Sequence, residues 1–140
     1  MTAIAEDLEL SNAVKSCQSQ MEEIKRAGSE CNPVTDGAVL GTLLANLQKL
    51  VIHTYELTAW ASIRKSDPKE AAMLWKQMVD LCDAALTLSK VFKEAYPRCG
   101  TPELYDLMLD YRREAHERYY QNLQDSECPT TPVGLFPKMT

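Results

Sequence analysis

The chain has no run of lysine or arginine that would neutralise a row of phosphates. Its 20 acidic side chains outnumber 15 basic ones, for a net charge of -5, so nucleic acid is not an expected partner. It has no apolar run approaching the roughly 18 residues that span a bilayer, which removes the membrane from the expected partners. The opening residues MTAIAEDLEL lack both the basic and the apolar regions of a secretory signal. Cysteine is present but unpatterned: Cys17, Cys31, Cys82, Cys99 and Cys128 are odd in number, widely spaced and free of any C-x-x-C pair. That argues against a disulfide scaffold and against a zinc site. Only two histidines occur, His53 and His116, and there is no E-x-x-H, so a zinc, iron or di-iron centre lacks its ligands. With no glycine-rich phosphate loop and no G-x-S-x-G elbow, the expectation is a cytoplasmic protein with no cofactor.

What the chain does have is a long apolar stretch from Asp36 to Lys65. Between Gly37 and Ile63 its only residues of certain charge are Lys49 and Glu56, beside the titratable His53. Leu40, Leu43, Leu47, Leu50, Thr54, Leu57 and Ala61 alternate steps of three and four, the seam of a packed helix. Gly41, Ala45, Ile52, Ala59 and Ile63 form a second line well round from the first. The pattern predicts a helix hidden around nearly its whole circumference, a spine enclosed by three others.

Three amphipathic stretches supply those neighbours. From Ala3 to Ala27, Leu10, Val14, Cys17, Met21 and Ile24 hold the helical rhythm, and Gly28 is the expected stop. In SDPKE, Asp67 is a cap, Pro68 suits the first helical position, and a helix follows to about Ala95. Its seam is Leu74, Met78, Leu81, Ala85, Leu88 and Phe92, flanked by Trp75, Val79, Cys82 and Leu86. Lys76, Asp80, Asp83, Lys90 and Glu94 belong to its far side. Thr101-Pro102-Glu103 opens a fourth helix that runs to about Gln124, with Leu104, Leu107, Met108, Tyr111, Ala115 and Tyr119 inward. Asp106, Asp110, Arg113, Glu114 and Glu117 are expected in water. The fold predicted is all-α, an up-down-up-down antiparallel four-helix bundle over residues 1–125 with an irregular, Pro-containing C-terminal tail at 126–140. In that topology Cys31 and Cys99 come to one end, where a redox role or plain reduced thiols are the two readings.

Two constellations bear on chemistry. His53, Glu56 and Trp60 share the one polar strip of the spine, and a histidine three residues from a carboxylate can share a metal or set up proton transfer. The other reading is a partly covered polar strip beside a packed tryptophan. Asp80-x-x-Asp83, followed after nineteen residues by Glu103-x-x-Asp106, resembles the E-x-x-E and E-x-x-D helices of all-α nucleotide pyrophosphohydrolases. The resemblance covers only these two motifs, with Asp at two positions where that pattern has Glu. It implies Mg²⁺ held by Asp80, Asp83, Glu103 and Asp106. Three residues separate Arg112 from His116, short of the four to six that lie between the Arg and His of HEPN-type ribonucleases.

The reading that accounts for more residues is a non-enzymatic helical-bundle module that binds a protein or peptide and forms a homodimer. Tyr105, Leu109 and Leu123 lie on a flank of the fourth helix away from its seam. Val133, Leu135 and Phe136 are too apolar for a solubilising tail, so they either fold back over the bundle or insert into a partner; in the second case these six are the candidate partner-binding residues. The alternative is the Mg²⁺-dependent nucleotide hydrolase.

Overall fold

A computed structural model describes residues 2–30, 37–97 and 104–127. Four helices make up this part: α1 (Thr2–Glu30), α2 (Gly37–Ile63), α3 (Pro68–Ala95) and α4 (Tyr105–Glu127), with no strand among the described residues. No described helix is long and apolar enough to cross a membrane.

The boundaries follow local chemistry. Asp67 adopts an extended backbone, and its side chain accepts a hydrogen bond from the Lys69 N–H at 3.0 Å. This caps a free amide at the point where Pro68 starts α3. At the other end of α3, the Tyr96 N–H donates to the Phe92 carbonyl at 2.8 Å. Gly28 does not stop α1, which runs on to Glu30. A glycine inside a helix costs only about 1 kcal/mol relative to alanine, and Ser29 Oγ, just past it, donates to the Arg26 carbonyl at 2.8 Å.

α3 is the hub. It makes its broadest contact with α4, and α2 packs broadly against both α1 and α3. The α1–α3 and α2–α4 contacts are narrow, and α1 and α4 do not touch among the described residues. The core between the helices holds Cys17, Leu44, Leu47, Val51, Trp75, Met78, Cys82, Ala85, Met108 and Ala115, all at 1% exposure or less. Burying each of the larger of these side chains is worth about 1.5–3 kcal/mol. Gly41 lies where a side chain would crowd the Phe92 ring, since an added Cβ would come within 3.2 Å of its Cζ.

The spine is one unbroken helix, and Leu40, Leu47, Thr54 and Ala61 of the expected seam are buried, but its buried face is turned from the one the sequence pattern predicts. Leu40, Leu44, Leu47, Val51, Thr54, Tyr55, Thr58 and Ala61 are buried, whereas Leu43, Leu50 and Leu57 lie half-covered at the edge. Nor is its circumference hidden. Val39, Trp60 and Ile63 are 59%, 60% and 76% exposed. The physical reason is that only α1 and α3 cover α2 broadly, so the side turned away from both faces water. On α4, Leu107 is 40% exposed rather than inward, because that helix leans on α3 alone over most of its length.

Candidate interaction surfaces

Where α2, α3 and α4 meet, aromatic rings and charges interlock. Tyr55 stacks on Tyr111 with centroids 4.4 Å apart and meets Trp75 edge-on at 5.3 Å. Its hydroxyl donates to Glu114 Oε1 at 2.8 Å, and the Arg118 guanidinium sits 5.2 Å over the Trp75 ring. Burial, and next the bond to Glu114, push the Tyr55 phenol above its ordinary value. Glu114 is therefore not a solvated acid but a half-buried acceptor. The pattern of spine leucines gave no place to Tyr55. Its signal was the reach of a phenol, which needs a polar partner when buried.

Four polar side chains are buried in the core: Gln48, Thr54, Thr58 and Ser89. Thr54 and Thr58 donate back to Leu50 and Thr54 carbonyls in their own helix. With the Thr54 proton committed there, the Cys17 S–H is the donor across the 3.5 Å to Thr54 Oγ1. Gln48 Nε2 donates to Ser89 Oγ at 3.0 Å, and Ser89 passes its proton to the Ala85 carbonyl at 2.9 Å. Gln48 Oε1 has no protein partner. Cys17 and Cys82 are free, buried thiols, both raised by burial, Cys82 to about 12, so neither is a nucleophile near neutral pH.

The acidic motif is divided between two cations. Asp80 pairs with Lys76 at 2.8 Å on the exposed side of α3. Asp83, expected among the solvated charges, turns instead to α4, where Arg112 grips it through Nε and, at 3.3 Å, through Nη2. This bond raises the Arg112 guanidinium above its ordinary value. Asp106 is exposed and Glu103 lies outside the described residues. Among the described residues no three His, Cys, Asp or Glu side chains stand close enough to hold a metal ion.

His53, Glu56 and Trp60 are all exposed on α2, Trp60 not packed as expected because neither α1 nor α3 covers that side of the helix, and His53 Nε2 stands 3.7 Å from Glu9 of α1. On α4, Tyr105 is half-buried against the core, Leu109 is 41% exposed and Leu123 is half-covered. Val133, Leu135, Phe136, Cys31 and Cys99 fall outside the described residues.

No known protein family, curated protein or solved structure matches the chain.

Two apolar surfaces stand out among the described residues. One is an apolar groove of about 430 Å³ walled by Ile24, Leu40, Leu44, Leu88, Val91 and Phe92, with Lys25 at its edge. The other is the outward side of α2, which carries Val39, Trp60 and Ile63 in water beside Lys49, His53 and Glu56.

Proposed function

We propose that the protein is a non-enzymatic, self-associating helical module that works through protein contacts. The observation that carries this reading is Trp60. A tryptophan 60% exposed on a helix whose opposite face lies deep in the core is apolar surface left over from folding, and such surface commonly serves a protein contact. The same reading takes α1 to α4 as an up-down-up-down antiparallel bundle. In support, Ile24 and Gly28 of late α1 share a groove with Leu40 and Leu44 of early α2, while Asp7 of early α1 lies 3.4 Å from Lys65 just past the end of α2. It also takes the protein as cytoplasmic and the residues after Glu127 as an irregular tail, either folded back over the bundle or offered to a partner; the expected start of that tail at 126 moves, because α4 runs on through Glu127.

Sedimentation of the purified chain tests the reading directly. A dimer at micromolar concentration is expected, and a strict monomer across the accessible range overturns it.

A further inference from the structure

The outward side of α2 has a regular order of its own. Val39, Leu43, Asn46, Leu50, His53, Leu57 and Trp60 follow one another in alternating steps of four and three. A 3.5-residue period is the mark of a helix seam that faces one partner helix along its length. Val39, Asn46, His53 and Trp60 stand in water and form the middle of this strip. Leu43, Leu50 and Leu57, half-covered, line one flank, and exposed Lys49 and Glu56 line the other. α1 lies alongside, with Glu9 at His53, and leaves the middle of the strip open.

We infer that this strip is closed by α2 of a second copy of the chain, running antiparallel about a two-fold axis at His53. The inference rests on the self-association proposed above and names its interface. Two features select this occupant. The first is the pairing along the middle. Asn46 and Trp60 each stand seven residues from His53, so an axis there sets Asn46 level with Trp60 of the partner subunit, and the pairing occurs twice. An indole N–H taken out of water needs an acceptor, and the asparagine amide oxygen supplies one. A lone asparagine in a helix seam also fixes its register.

The second feature is the match of the flanks. An axis at His53 keeps each flank against its own copy. Lys49 comes to within one residue's rise of Glu56 of the partner subunit, and on the other side Leu50 comes equally close to Leu57 of the partner subunit. Opposite charges meet, and apolar meets apolar. Parallel copies cross the flanks and set the leucine row against the lysine and glutamate, which desolvates both charges without a partner.

The register makes the test specific. In a background with Cys31, Cys99 and Cys128 changed to serine, His53→Cys is expected to give a disulfide-linked dimer under mild oxidation, because only a residue at the axis meets its own copy. Trp60→Cys alone is expected to give none, since about 14 residues of helix, or ~21 Å, separate the two copies of position 60. Asn46→Cys combined with Trp60→Cys is expected to cross-link. Lys49→Glu and Glu56→Lys should each weaken the dimer by about tenfold in sedimentation, and the double exchange should restore it. Cross-linking of Trp60→Cys alone overturns the antiparallel register. A dimer that persists with no cross-link at position 53 and no effect of Trp60→Glu overturns this interface while self-association stands. A monomeric parent chain removes both.

Discussion

The Tyr55 hydroxyl donates to Glu114 Oε1 at 2.8 Å across 59 residues of chain, and this bond, with the stack on Tyr111, ties α2 to α4 where the two helices otherwise meet only narrowly. Tyr55→Phe keeps the stack on Tyr111 and removes only the bond, so it should cost about 1 kcal/mol. Tyr55→Ala also opens a cavity beside Trp75 and should cost about 3–5 kcal/mol. Urea unfolding of the two variants decides whether bond or ring dominates. Equal losses would mean that the ring contributes nothing beyond its hydroxyl.

Alkaline pH should weaken the fold through buried acids, Tyr55 and Cys82 among them. The Tyr55 phenol and the Cys82 thiol are both raised, mainly by burial, from ordinary values of 10.0 and 9.0, the thiol to about 12. The folded state keeps each neutral while the unfolded chain ionises. Their contribution is therefore complete below pH 9 for Cys82 and below pH 10 for Tyr55, and it falls as pH rises toward the folded values. Each group adds a slope of at most about 1.4 kcal/mol per pH unit. Thermal unfolding between pH 8 and 11 should show it, with a shallower decline in Cys82→Ala and in Tyr55→Phe.

Gln48 offers a substitution expected to stabilise. Its Oε1 is buried without a protein partner, at a cost of about 1–3 kcal/mol, while Ser89 keeps its own bond to Ala85 if the amide is lost. Gln48→Met fills a similar volume with no orphaned acceptor. The midpoint of denaturation should stay level or rise. A fall of more than about 1 kcal/mol would mean that the amide fixes the pairing of α2 with α3, the role a buried polar residue has in helix seams.

The Asp83–Arg112 pair separates the binding module from the nucleotide hydrolase. Both side chains are more than a third exposed, so screening limits their pair to about 0–1 kcal/mol. Arg112→Ala should cost no more than that, and less at high salt. A thermal-shift series with Mg²⁺ and a nucleotide should leave the melting point unmoved. Stabilisation that vanishes in Asp83→Asn would establish the hydrolase reading in its place.

Much of the helical layout was legible in the sequence because helix signals are local. The Asp67-Pro68 cap, Met78, Leu81, Ala85 and Phe92 of the α3 seam, and the buried Cys17 and Cys82 appear where spacing puts them, whereas Leu74 and Leu88 of that seam are half-covered and the flanking Trp75 and Val79 are buried. The rotation of α2 was not legible. On a helix with so few charges, Leu43 and Leu44 are equally good core residues, and only the placing of α1 and α3 buries the second and leaves the first at the edge. Long-range polar partners were hidden for the same reason. Nothing near Asp83 or Glu114 in sequence announces Arg112 or Tyr55, since those bonds exist only once α4 has docked.

That α1 and α4 never meet among the described residues has a consequence for how the protein comes apart. Either outer helix can lift away without disturbing the other, so amide protons should exchange in tiers rather than all at once. α4, with only Met108 and Ala115 fully buried, should open first and most often, α1 next, and the amides of α2 and α3 should be the slowest to take up deuterium.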